Sequence, residues 1–203
     1  MSKITQISTQ SKNKERCNVF VDEEFAIGVS LETVLKFRLK VGMEITKEKL
    51  LEITLDAEKT DAMNKAVGYV SKTLKTKKQV VTYLLGKGFS EPVVYYVIDK
   101  LKEFRYIDDV EFCKRYIESY QGQGKRLTEY KLMMKGVRKE DIAKAYEEVE
   151  IPSKYNALSV AKKHIKSKER TKENLAKTFR YLIGKGFSYE ETEYAISKLK
   201  EDD

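Results

Sequence analysis

A seven-residue phrase occurs twice in this chain, almost unchanged. Leu84-Leu85-Gly86-Lys87-Gly88-Phe89-Ser90 returns as Leu182-Ile183-Gly184-Lys185-Gly186-Phe187-Ser188, and Leu132-Met133-Met134-Lys135-Gly136-Val137 is a looser copy between them. Gly88, Gly136 and Gly186 are 48 and 50 residues apart, a spacing in the range of helical repeat arrays. A glycine followed by an apolar residue at the end of an amphipathic run stops a helix in the left-handed conformation, and the apolar residue folds back onto the last turn. Each copy therefore marks a helix–turn–helix corner.

Two further periodic segments precede each corner, at roughly 57–73 and 77–87, 109–121 and 126–135, and 153–168 and 171–185. With the helix after the corner, every repeat becomes a three-helix unit, nine helices in all. Ser188 with Glu191 forms a capping box for the last of them, and Ser90 with Pro92 starts its counterpart in the first repeat. The middle copy has Arg138 and Lys139 there, a weaker cap. The segment Thr171 to Leu182 is about three residues longer than Thr76 to Leu84. Only two Pro and ten Gly interrupt 203 residues, which agrees with a mainly α chain.

The first thirty residues read differently. Ile4, Thr5, Ile7 and Thr9, then Cys17, Val19 and Val21, then Phe25, Ile27 and Val29 alternate, with breaks at Ser11 to Lys14 and Asp22 to Glu24. This is a small β hairpin or meander that must pack on something else. Ser30 caps a short helix, Gly42 breaks it, and Thr46 caps the next. The resulting segments are a β-rich leader with a short helix (1–46), a connecting helix with the first repeat (47–104), the second repeat (105–150) and the third (151–203). The fold expected is an elongated, curved array of three tandem three-helix repeats behind a β leader.

Residues that carry most enzymatic and metal chemistry are scarce. Two cysteines, Cys17 and Cys113, and one histidine, His164, give neither a disulfide framework nor a zinc spacing. His164 aligns with Tyr69 and Tyr116 of the other repeats and reads as packing. Gln121-Gly122-Gln123-Gly124-Lys125-Arg126 lacks the spacing of a phosphate loop and reads as a flexible joint. No enzyme, metal or cofactor is expected. With no apolar leader or membrane-length run, the chain reads as cytoplasmic, and the polar end at Asp202 and Asp203 suggests a monomer.

Charge is distributed unevenly. Basic residues number 40 against 32 acidic, a net +8. From Ser71 to Ser90 there are five lysines, Lys72, Lys75, Lys77, Lys78 and Lys87, and no acid. Lys125, Arg126 and Lys131 flank the middle corner with Lys135, Arg138 and Lys139. Lys162, Lys163, Lys166, Lys168, Arg170 and Lys172 lie among eight basic residues between Val160 and Arg180, against Glu169 and Glu173. One reading is an interrupted positive band for a phosphate backbone or an acidic protein groove. The other is a solvated helix face paired at i,i+4 with glutamates, although acid depletion weakens it for the first and last clusters. Tyr69, Tyr83, Tyr116, Tyr181 and Tyr194 fall at helical spacings and read as packing between helices, leaving Tyr120 as the exposed candidate for base stacking.

The second repeat opens with the sharpest local signal, Tyr106-Ile107-Asp108-Asp109-Val110-Glu111-Phe112, where Asp108 and Glu111 spell a capping box and Ile107 can staple onto Phe112. Together with Gly122 to Arg126 and the corner glycines, this stretch resembles the central signature of the RecX regulatory proteins, and the resemblance runs over nearly the whole length. It implies a cytoplasmic modulator of the RecA recombinase that lies in the groove of the RecA–DNA filament and restrains ATP hydrolysis and strand exchange, in some members binding DNA as well. A different class remains open from the residues alone: a helical repeat protein that binds single- or double-stranded DNA without sequence preference.

Overall fold

The structure, a computed structural model, describes residues 2–11 and 13–201. Lys12 in the first expected break, and Asp202 and Asp203, on which the monomer expectation drew, lie outside the described residues. The described chain has two compact units, one running through Thr73 and adding Val80–Tyr106, the other made of Leu74–Gln79 and Ile107 onward.

The leader forms the strands that the alternation predicts, but bulges between Ile4 and Gln6 and between Val19 and Phe20 interrupt the period, and Phe25 is exposed where Val29 is buried. Strands β1 (Ser2–Thr9), β2 (Arg16–Val21) and β3 (Glu24–Ser30) pair antiparallel, with Ile7 opposite Val19 and Cys17 opposite Val29. The period of two sends Ile4, Cys17, Val19 and Val29 inward, where they meet Ile53 and Ala57 of a following helix. A short strand that alternation did not announce, β4 (Glu44–Ile45), pairs with the outer edge of β1, giving the order β3-β2-β1-β4. Two residues are too few to show a period, and Ile45 is recruited because it reaches the same core. The β2–β3 turn takes Asp22 and Glu23 at φ 50° and 70°, left-handed values usually left to Asn and Gly. Its position is held by Lys3, whose N–H donates to Asp22 Oδ1 at 2.9 Å while the Asp22 N–H donates to the Lys3 carbonyl.

Ten helices follow among the described residues. Ser30 caps α1 (Leu31–Lys36) and Thr46 caps α2 (Lys47–Val70), each hydroxyl accepting from an N–H three residues on. The connecting helix and the first repeat helix, expected as separate elements, are one 24-residue helix, about 36 Å long. No Pro or Gly falls between Lys47 and Val67 to break it, and Thr54 and Thr60 return their hydroxyls to the carbonyls of Leu50 and Asp56 within the helix. The repeats continue as α3 (Lys77–Gly86), α4 (Glu91–Glu103), α5 (Asp109–Ser119), α6 (Lys125–Met134), α7 (Lys139–Glu148), α8 (Ser153–Ile165), α9 (Lys172–Gly184) and α10 (Tyr189–Glu201). Helix α9 has 13 residues against 10 in α3 and in α6, the extra length seen in the sequence.

All three corners close as Schellman caps. Gly88, Gly136 and Gly186 have φ of 86°, 84° and 86°. The N–H groups of Phe89, Val137 and Phe187 reach back to the carbonyls of Leu84, Leu132 and Leu182 at 3.4, 3.2 and 3.2 Å. Val137 with Cys113, Ile117 and Leu132 builds one core, and Phe187 with Leu182, Ala195 and Leu199 another. Ser188 and Glu191 form the full capping box, at 2.8 and 3.1 Å. Ser90 is an N-cap without a side-chain bond, supported by Pro92. Arg138 is an N-cap without one too, and it forks onto Asp141 at 2.9 and 3.1 Å.

The box at Asp108 closes on one side only. Asp108 Oδ1 accepts from the N–H groups of Val110 and Glu111, whereas Glu111 turns outward to Arg115 at 2.9 Å and Lys114 at 3.1 Å. Those two cations, Arg115 foremost, hold its carboxyl below the ordinary value, a stronger attraction than a neutral N–H offers.

Candidate binding surface

The most specific geometry in the second unit is a contact made twice. At the start of α3, Thr76 and Gln79 form a reciprocal capping box at 3.2 and 3.0 Å. The buried Thr76 hydroxyl also donates to the Lys135 carbonyl at 2.8 Å, and the Lys78 side chain lies against Gly136. At the start of α6, the Gly124 N–H donates to the Lys185 carbonyl at 3.0 Å and the Arg126 N–H reaches the Gly186 carbonyl at 3.3 Å. In both cases the first turn of a repeat's second helix rests on the glycine corner of the next repeat.

This contact explains an electrostatic oddity. Neither α3 nor α6 has an acid in its first turn, and they begin with Lys77–Lys78 and Lys125–Arg126, cations at the positive end of the helix dipole. Alone this placement is unfavourable. Here the carbonyl end of the next corner lies against it and supplies the compensating negative pole, while Asp109 Oδ1 accepts from the Lys77 N–H at 2.8 Å. The result is two basic groups of similar build: Lys77 and Lys78 with Lys135, and Lys125 and Arg126 with Lys185.

Each corner lysine also covers an aromatic ring. Lys87 lies 5.6 Å from the Tyr83 ring, which stacks on Tyr69 at 4.2 Å. Lys185 lies 5.3 Å from Tyr181, which stacks on His164 at 4.2 Å. Lys135 lies 5.7 Å from Tyr116, stacked on Tyr120 at 4.4 Å. His164 thus fills the slot of Tyr69 as packing, and burial, then Lys168, push its pKa below the ordinary 6.5. Lys131 occupies the place that Tyr83 and Tyr181 hold in the flanking repeats, so the middle corner draws its ring from α5 instead.

The remaining basic residues fall elsewhere. Lys72 is exposed in the turn after α2, and Lys75 is partly buried. Lys162, Lys163, Lys166 and Lys168 are exposed at the end of α8 and in the turn beyond it, with Lys172 opening α9. Arg170 donates to the Leu199 carbonyl at 2.9 Å, tying that turn to α10. Tyr106 is exposed just before the Asp108 cap, and Phe112 is partly buried on α5. Sequence reasoning missed Lys185, although its i,i+4 spacing from Tyr181 was visible. Tyr120, at 47% exposure and stacked on Tyr116, is surpassed by Tyr155 at 67% and Tyr189 at 65%.

The Gln121 to Arg126 stretch is not a hinge at Gly124. A Cβ there would fall 2.2 Å from the Gly186 backbone, and one on Gly186 would fall 2.5 Å from Leu127 N. Only glycine lets these backbones approach so closely. Cys113 is buried and its thiol is pushed up to about 12, chiefly by burial, so it stays protonated and unreactive at neutral pH. Among the described residues no helix is long and apolar enough to cross a membrane.

Comparison with known proteins adds a lineage to this geometry. Residues 2–46 match the model of the regulatory protein RecX N-terminal domain, and residues 62–101 match that of the RecX first three-helix domain. The chain is 32% identical to the regulatory protein RecX of Clostridium tetani, over 98% of this chain and 95% of that one. It is 36% identical to that of Clostridium beijerinckii, over 98% and 96%. A crystal structure of a regulatory protein RecX superposes with a TM-score of 0.75 at 24% identity, covering 96% of this chain and 98% of that chain.

Proposed function

Because this chain belongs to the RecX family of regulatory proteins, we propose that it binds the RecA recombinase on its DNA filament in the cytoplasm and restrains ATP hydrolysis and strand exchange. The observation that carries this reading is the repeated dock, which presents similar basic groups at two successive corners, Lys77–Lys78–Lys135 and Lys125–Arg126–Lys185. A repeat protein with recurring contact points suits a partner that is itself repetitive. Its effect then comes from binding energy alone, by favouring one state of the filament over another. No chemistry is required of the protein.

The test is a titration of RecA ATPase activity on single-stranded DNA at two salt concentrations. Inhibition at sub-stoichiometric protein is expected, and unchanged ATPase at equimolar protein rules the reading out.

A second reading, non-sequence-specific DNA binding as the primary activity, is favoured by the exposed cluster Lys162, Lys163, Lys166 and Lys168. Charge reversal at these four positions separates the two. Loss of DNA binding with RecA inhibition intact makes the protein contact primary, and loss of both makes DNA primary. The protein acts as a monomer in either case, which light scattering checks.

A further inference from the structure

The second unit contains a cleft of about 250 Å³ beside the Gly124–Gly186 contact. This is below the usual size of a drug-sized ligand pocket, so it suits a single ring system. Ile117, Val149, Ile151 and Phe187 give it apolar walls, and Phe187 is the residue that folds back beneath the third corner. Gln123, Tyr146 and Asn156 bring polar groups to the same space. Lys125 lines it as well, its Nζ 4.7 Å from the centre of the Tyr146 ring.

We propose that this cleft receives one unstacked nucleobase of a single strand, with Lys125 and Arg126 on the adjoining phosphates. Three features select a base over an aliphatic or purely anionic ligand. The lining combines two aromatic rings, Tyr146 with the Lys125 ammonium over its face and the edge of the largely buried Phe187, with side-chain amides, the groups by which proteins hold a base that has left its stack. Gln123 has its Oε1 buried without a donor, the one side-chain amide among the described residues in that state. Gln123 lines the cleft, so a base bound there brings the amino or imino N–H that this oxygen lacks. Tyr146 is hydrogen-bonded to Thr128 and its phenol is pushed up to about 12 by burial, so it remains a neutral donor at any physiological pH. Lys125 lines the cleft from the first turn of α6 and Arg126 follows it in the chain, while the backbone N–H groups of Gly124 and Arg126 are already engaged by the corner. Phosphates therefore meet the side chains.

This inference deepens the DNA reading and does not depend on the recombinase. The test uses the full-length protein and an oligothymidylate carrying one 5-iodouracil, with no RecA present. Fluorescence anisotropy reports total binding, and irradiation followed by peptide mapping reports where the base lies. An adduct on Tyr146 or Phe187 is the expected result. Asn156→Phe, which fills the cleft from α8, is expected to lower affinity about ten-fold at every salt concentration, the loss of one stacked base, with the salt slope unchanged. Replacing Lys125 and Arg126 by alanine is expected instead to flatten the log–log salt slope by about 1.4, for two single-strand phosphate contacts. Binding with adducts confined to residues outside the cleft overturns the base site and leaves DNA binding standing. Absence of binding at low salt overturns both, and neither outcome touches RecA inhibition. Should Asn156→Phe fail to fold, the adduct map of the unsubstituted protein decides alone.

Discussion

Gly124 and Gly186 meet backbone to backbone, the N–H of the first donating to the carbonyl that precedes the second, and a Cβ on either would overlap its neighbour at 2.2 and 2.5 Å. The contact joins two repeats without side chains, so it cannot relax by changing rotamer. Gly124→Ala is therefore expected to destabilise the second unit by about 3 kcal/mol, at the upper end of overpacking. Gly122 two residues earlier has open space around its Cα, and Gly122→Ala should change stability by less than about 0.5 kcal/mol. Urea unfolding of both variants checks this, and equal effects would show that the approach is not close.

The counterpart contact relies on a hydroxyl. Thr76 is fully buried, accepts from the Gln79 N–H and donates to the Lys135 carbonyl at 2.8 Å. Thr76→Val keeps the shape and removes both bonds, leaving a helix N-terminus uncapped and a carbonyl without its donor. A loss of about 2 kcal/mol is expected, and Thr76→Ser should recover most of it. Denaturation midpoints of the three proteins provide the comparison.

How far these contacts could be read beforehand depends on their range. The corners were legible because a left-handed glycine and the apolar residue after it are a local requirement, written within seven residues. The β leader was legible because Cys17 and Val19 alternate in β2 and Ile27 and Val29 in β3, while β4 was too short to carry a period. The docks were not legible. Thr76 and Lys135 are 59 positions apart, and no local rule links Gly124 to Gly186, so Gly124 looked like a loosener when it is a close-packing residue. The turn of Glu111 away from Asp108 had a visible cause in Lys114 and Arg115, since charged partners outcompete a backbone N–H. The basic groups were half legible: the lysines were plain, but which of them a corner gathers depends on tertiary contact.

Arg105 marks another place where local rules and the fold disagree. It ends α4 at φ 56°, with the Tyr106 N–H reaching the Leu101 carbonyl at 2.8 Å, the same cap that glycine closes at the three corners. A side chain in this conformation costs about 1–2 kcal/mol. Arg105→Gly relieves that strain and adds freedom to the unfolded chain, for a net gain of about 0.5–1 kcal/mol. Arg105→Ala retains the strain and should leave the melting temperature nearly unchanged. Equal behaviour of glycine and alanine would show that Arg105 bears no left-handed strain.

His164 is the sole histidine, so a stability change near its titration range can be assigned to it. Its ring stacks on Tyr181, and Nδ1 lies 3.0 Å from Thr178 Oγ1, a hydroxyl that already donates to the Asn174 carbonyl. Thr178 must then accept, which places the proton of the neutral imidazole on Nδ1. Burial first and Lys168 second lower the folded pKa below 6.5. With the folded value depressed, the unfolded chain takes up the proton first as pH falls. The contribution of His164 is thus fully present above about pH 6.5 and is lost as pH drops through the lower folded value. Glu111, Glu173 and Glu190, whose ion pairs hold them below 4.5, act in a more acidic window. The urea midpoint should therefore fall between about pH 7.5 and pH 5.5. His164→Tyr, which places at this position the ring that Tyr69 and Tyr116 supply in the other repeats, should flatten that dependence, and a variant with the original slope would assign it to other groups.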